Sequence, residues 1–116
     1  MKVCGQCGRL GERGWLDHRS DRPVCRNRTA CRRRAQFVGL WVGKRYLQRR
    51  DLDGTLWLIR PSTMIDGGLA NGFILTCIYR DHRTTSWHPT VTAAQFHRDD
   101  VVRSWQARRL SEYAQR

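Results

Sequence analysis

Five cysteines carry most of the chemistry available to this chain, and four of them sit as two pairs in its first third. Cys4 and Cys7 are separated by Gly5-Gln6, and Cys25 and Cys31 fall within the run CRNRTACRRR. The CxxC spacing lets both thiolates of the first pair reach one metal ion. Gly8 follows at once and permits a tight turn whose backbone N–H groups point at sulfur. Seventeen residues lie between Cys7 and Cys25, and four thiolates at tetrahedral geometry suit zinc. His18 competes for a place, because a Cys3His site using Cys4, Cys7, His18 and one later cysteine has the same chemistry. The metal-free alternative is that Cys25 or Cys31 is simply a small buried side chain. Cys77 stands alone in an apolar stretch and reads as core packing.

Positioning those thiols needs three elements. Gly14-Trp15-Leu16-Asp17-His18-Arg19 and Arg22-Pro23-Val24-Cys25 flank a Ser20-Asp21 turn and read as a short hairpin. After it, Thr29 is placed to cap a helix starting near Ala30, which puts Cys31 in the first turn, where the helix dipole favours a thiolate. Knuckle, hairpin, then a ligand at a helix N-terminus is the order of a treble-clef zinc finger.

CxxCG followed by Asp17-His18 resembles the opening of HNH nucleases, in which an Asp-His pair beside a divalent metal activates water. The likeness stops there. Only six residues separate His18 from Cys25, and Asn27, between the second pair of cysteines, is not at the family's asparagine position. A degenerate nuclease is therefore the minor alternative. Residues 4–34, with the CxxCG knuckle, Trp15 and the segment PVCRNRTACRRR, resemble small treble-clef or zinc-ribbon-like accessory proteins of actinobacteria and their phages. That resemblance implies a small accessory or regulatory protein without a defined reaction.

Charge is distributed unevenly along the chain. The 116 residues carry 22 Lys+Arg against 10 Asp+Glu, and residues 1–50 hold 14 basic and 3 acidic side chains, net +11, while 51–116 are close to neutral at +1. Twenty of the cations are arginine, the side chain that makes forked bonds to phosphate and stacks on bases. A GC-rich coding bias accounts for arginine replacing lysine. It does not account for the scarcity of acids before residue 51, which a polyanionic partner would. Arg26, Arg28, Arg32, Arg33 and Arg34 are the expected phosphate contacts, with Arg13, Arg19 and Trp15 on the hairpin beside them.

The remainder reads as a scaffold. Phe37, Leu40 and Trp41 at i, i+3 and i+4 extend the helix from Ala30 to Trp41, and Gly43 stops it. Strands are expected over 44–50 and 55–60 around the turn Asp51-Leu52-Asp53-Gly54, with Pro61 ending the second and a glycine-rich loop over 61–72. Another strand covers 73–80, and a turn at Asp81-His82-Arg83 leads to one more over 84–88. Such a meander commonly curls into an SH3-like partial barrel. Thr92 to Gln95 forms a capping box, with Val91 and Phe96 as its staple, for a helix from Ala93. Beyond Asp99-Asp100 the apolar positions share no narrow stripe, so the helix either breaks there or packs on a partner. Trp57 and Trp87 are the tryptophans expected in the core. His82, His88 and His97 show no pairing at metal spacing and read as solvated.

The expected architecture is α+β: a zinc finger with a basic helix over 1–41, and an antiparallel β domain with a C-terminal helix over 42–116. The expected function is non-enzymatic, since no nucleophile triad, phosphate loop or paired-carboxylate motif is present. It is regulatory binding of nucleic acid, DNA or RNA, through the N-terminal half. The alternative is an interaction module that docks on a host machine such as RNA polymerase or a ribosome. With no apolar signal core at the N-terminus and no run of membrane-spanning length, the chain reads as cytoplasmic, where close cysteine pairs are metal ligands more often than disulfides.

Overall fold

Alternating side chains build the largest element of the protein, whose computed structural model describes residues 2–11, 16–17, 23–63 and 71–114. The first part contains four two-residue strands and a helix: β1 Lys2–Val3, β2 Leu10–Gly11, β3 Leu16–Asp17, β4 Val24–Cys25 and α1 Arg28–Ala35. The second contains β5 Leu47–Arg50, β6 Leu56–Pro61, β7 Phe73–Tyr79, β8 His82–His88 and α2 Val91–Ala114. β1 pairs with β2 and β3 with β4, and the last four strands form one antiparallel sheet in the order β5-β6-β7-β8. The fold is α+β. Trp15, the Ser20-Asp21 turn, His18, Arg13, Arg19 and residues 64–70 of the expected loop lie outside the described residues.

The pleat sends every second residue to the same face. Register pairs Trp57 with Cys77 and Ile59 with Leu75, and these four side chains with Ala94 of α2 form a buried cluster. Trp41, Leu47, Phe73, Val91, Val101, Val102 and Trp105 pack around it. Trp105 stacks at a tilt on Trp57, with ring centroids 5.8 Å apart. Trp87 does not join this core. It pairs with Ile74, so the pleat turns it to the opposite face. There its indole lies against the bare backbone of Gly72, where a Cβ would stand 2.4 Å from the ring, and donates to Ser62 Oγ at 3.3 Å.

α2 runs unbroken through the acidic pair at 99–100. Its sheet-facing stripe is Val91, Ala94, Arg98, Val101, Val102 and Trp105, which follows helical spacing once a charged residue is admitted to it. Arg98 is buried, and this hides the stripe from a hydrophobic reading. The helix also starts earlier than the capping box suggests: Thr90 Oγ1 accepts from Ala93 N at 3.0 Å. Phe96 is exposed and no staple.

α1 is shorter than its sequence suggests. Asn27, not Thr29, caps it, with Oδ1 accepting from Ala30 N at 3.2 Å. The helix ends at Ala35, and the chain then turns through Gly39 and Gly43 at φ +79° and +123°. Phe37 and Leu40 are left exposed rather than packed. The β7–β8 turn is also tighter than expected. Tyr79 pairs with His82, leaving Arg80 and Asp81 at the tip, with Arg80 at φ +53°.

The Asp51–Gly54 turn forms where expected, and its first residue organises the interior. Asp51 accepts from Arg49 Nε at 2.9 Å, Trp57 Nε1 at 2.9 Å and Arg98 at 2.7 Å. Burial alone would raise the Asp51 pKa, but Arg98 and Arg49 outweigh burial and hold it below the ordinary carboxylate value. Replacing Asp51 with Ala leaves Arg98 buried without its main partner, and should lower the unfolding free energy by about 3 kcal/mol in denaturant titration. Because the folded-state pKa is depressed, this contribution is complete above the unfolded-state value and is lost as pH falls through the folded one. Stability of the wild type should drop in acid, and Asp51→Asn should flatten that dependence.

Candidate metal centre

Three backbone devices bring the cysteines together. The first is the knuckle: Gly8 N donates to Cys4 O at 3.0 Å and Cys4 N to Arg9 O at 2.9 Å. Gly8 closes this turn at φ +73°, a conformation natural only to glycine. The second is the β3–β4 ladder, in which Leu16 pairs with Cys25. Gly5 N reaches across to Pro23 O at 2.9 Å and ties the knuckle to that ladder. The third is the first turn of α1, which presents Cys31. All four thiols are buried and free of disulfides.

The sulfurs of Cys4, Cys7, Cys25 and Cys31 all lie within 4.8 Å of one another. Cys4 and Cys31 are 3.6 Å apart, as are Cys7 and Cys25. A tetrahedral ion bound to sulfur at about 2.3 Å requires sulfur–sulfur edges of about 3.8 Å; the two 3.6 Å pairs are close to that, and the cluster could hold a metal ion. No other group of three or more Cys, His, Asp or Glu among the described residues could hold one.

Electrostatics favour a cation at the centre. Burial opposes ionisation of Cys4, but backbone N–H groups of Cys7, Gln6 and Cys25 together overcome it and lower the thiol to about 6. The Gln6 amide lies 3.4 Å from that sulfur, as expected of the turn. Burial and the neighbouring sulfurs push Cys31 up to about 12, and burial also raises Cys25. One thiolate forms easily, and each further charge in so small a volume is opposed. A central cation removes that opposition.

Of the expected phosphate contacts, Arg26, Arg28, Arg32 and Arg33 are exposed around Cys25 and along α1. Arg34 points elsewhere. Half-buried, it donates to Cys25 Sγ at 3.3 Å, and its pKa is raised by hydrogen bonding to the Cys7 and Cys25 sulfurs. Its place one turn beyond Cys31 turns it back toward the sulfurs, so it belongs to the metal centre rather than to the outward array. The helical spacing from Cys31 was the only sequence signal for this role. Gln6 contributes as well, with Oε1 3.8 Å from Cys31 Sγ.

Cys77 lies in the sheet core, apart from the cluster. His88 and His97 come together across β8 and α2, with ring centroids 4.8 Å apart, and Ser86 Oγ is 2.7 Å from His88 Nε2. Burial, then the neighbouring His97, lowers the His88 pKa. A strand–helix contact of this kind leaves no spacing signal in the sequence.

Set beside known protein families, curated proteins and solved structures, the chain matches none of them. Its geometry therefore carries the functional reading.

Arg34→Ala should retain one metal per chain while weakening affinity about 10- to 100-fold, as loss of an outer-shell partner does, measured by competition with a chromogenic chelator. Metal uptake at neutral pH should release a proton from each of Cys25 and Cys31, whose raised thiol pKa values keep them protonated without metal. Apparent affinity should rise with pH, and calorimetry in buffers of different ionisation enthalpy reads the proton count.

Proposed function

We propose that this is a non-enzymatic zinc-finger protein that binds nucleic acid through the arginine array around Cys25 and α1. The observation that carries this reading is the coupling of two features in one segment: Cys25 and Cys31 are fixed in a buried four-sulfur cluster, while Arg26, Arg28, Arg32 and Arg33 project from the same ten residues to solvent. A four-thiolate donor set at tetrahedral spacing favours zinc over harder ions such as calcium or magnesium. The zinc would be structural, with all four positions filled by protein.

In finer detail we read the first part as a treble clef, since a knuckle, a two-stranded ladder and a helix deliver the ligands in that order. We read the sheet as an SH3-like curl, supported by short strands joined in sequence order. The resemblance of residues 4–34 to accessory proteins of actinobacteria and their phages fits a regulatory role. Binding by phosphate contact gives affinity with little choice of sequence. Anchoring to the metal holds the arginines in a fixed array, which lowers the entropy lost on binding.

Native mass spectrometry should show one zinc per chain, lost with any of Cys4, Cys7, Cys25 or Cys31 replaced by Ser. Fluorescence anisotropy against random-sequence oligonucleotides should show affinity falling steeply with salt. Replacing Arg32 and Arg33 with Ala should reduce the slope of log K against log salt by about one for each phosphate no longer neutralised, without loss of zinc. No binding at low salt would end the nucleic-acid reading. Retention of a single protein partner after nuclease treatment would favour the docking-module alternative.

A further inference from the structure

Between the end of α1 and β5, large apolar side chains stay in water although a core lies close by. Phe37 is 47 % exposed, Leu40 55 % and Tyr46 55 %. The turns at Gly39 and Gly43 produce this display. Gly39 N donates to Arg50 O at 2.9 Å, and Val42 and Gln48 exchange backbone hydrogen bonds of 2.9 and 2.8 Å. The segment is thereby laid along β5 with Phe37 and Tyr46 outward and Trp41 packed against the core. A side chain at Gly43 would place a Cβ 2.0 Å from Tyr46 O, so this path is available only to glycine.

Phe37, Val38 and Val42 line a depression of about 180 Å³ whose remaining walls are Arg34, Gln48 and Arg50. Arg50 is half-buried, and desolvation lowers its pKa. Attraction from the Cys7 sulfur is opposed by repulsion from Arg34 and Arg9, and no carboxylate pairs with Arg50 among the described residues. In the same segment, the Arg45 guanidinium lies 5.9 Å from the centroid of the exposed Tyr46 ring. A partly desolvated cation without a carboxylate partner, beside the exposed ring of Phe37, calls for a ligand with a negative charge and a flat apolar face a few ångströms apart. A nucleotide has both. In a duplex the faces of the bases are already stacked on each other, whereas a single strand leaves them free.

We propose that the depression between Phe37 and Arg50 is a stacking site for single-stranded nucleic acid. It takes a phosphate at Arg50 and a base on Phe37. This rests on the nucleic-acid reading and narrows it: the exposed arginines of α1 supply long-range attraction, and the depression selects strands whose bases are accessible. The basic half of the chain, net +11 over residues 1–50, complements such a ligand.

The test uses the full zinc-loaded chain and one labelled mixed-sequence oligonucleotide, alone and annealed to its complement. The single strand should bind more tightly than the duplex. Phe37→Ala should weaken single-strand binding about tenfold with the salt slope unchanged, and Phe37→Tyr should restore it. Arg50→Gln should lower the slope by about one. Phe37 is solvent-exposed, so its removal spares the core; should Phe37→Ala lose zinc, Phe37→Leu keeps the apolar bulk, removes the flat ring and provides the same readout. Equal affinity for duplex and single strand, with Phe37→Ala and Phe37→Leu both neutral, overturns this proposal and leaves the broader nucleic-acid reading standing. Absence of binding to either form defeats both. Displacement of the strand by polyglutamate as readily from Phe37→Ala as from the wild type assigns the face to an acidic protein partner and overturns the stacking site.

Discussion

Asp51 receives hydrogen bonds from Arg49, Trp57 and Arg98, and so ties β5, β6 and α2 to one point. A buried carboxylate tolerates little misplacement, because each missing donor leaves charge uncompensated in a poorly polarisable surrounding. Arg98 in turn lies over the Trp57 ring, 5.7 Å from its centroid, and also pairs with Asp99 at 2.8 Å. The backbone of Asp51 matters equally: a Cβ on Gly8 would stand 2.5 Å from its carbonyl oxygen. The cysteine knuckle therefore packs directly on the β5–β6 turn. One residue fixes the helix to the sheet by its side chain and seats the knuckle by its backbone.

The arginines divide according to the charge they face. Four thiolates around a divalent cation would leave a net negative centre, and Arg34, hydrogen-bonded to the sulfurs, lies where that charge would be felt. Arg50 is partly desolvated nearby, without a carboxylate partner among the described residues. Arg26, Arg28, Arg32 and Arg33 have no such duty and stay in water. A sequence so rich in arginine thus contains two populations, one balancing an internal anion and one presenting charge outward. The same division explains how a short helix with three consecutive arginines, Arg32 to Arg34, is tolerated: they fall in its last turn, where positive charge is favourable.

Local features were legible in the sequence and adjacency was not. The four-cysteine cluster could be read because CxxCG fixes two thiols within a few ångströms and Cys25 and Cys31 offered a second pair, with His18 as a competing donor. The strands over 56–61 and 73–79 and the Asp51–Gly54 turn were legible from apolar runs broken by turn residues. Misreadings arose where a local pattern competed with a longer-range one. Phe37, Leu40 and Trp41 have helical spacing, but Gly39 and Gly43 divert the chain before that stripe can pack. Trp87 has the composition of a core residue, yet the parity of β8 sends it to the other face. Arg98 concealed the buried stripe of α2, since its partner is 47 residues away. The capping errors at Thr29 and Thr92 share a cause: a polar residue two positions earlier, Asn27 or Thr90, reaches the first free N–H groups.

The packing of Gly8 against Asp51 also bears on how the chain is assembled during synthesis. All four clustered cysteines precede the turn on which the knuckle rests, so the sulfur ligands leave the ribosome before their seat exists. The ladders β1–β2 and β3–β4 and helix α1 use only partners from this early segment, so the backbone bonds that place the four thiols need no residue of the sheet. The sheet packs around residues from Trp41 to Trp105, and its Asp51 turn meets the knuckle at Gly8. Glycine at position 8 makes this contact sterically possible, serving as a docking notch between two units that each hold their own backbone hydrogen bonds.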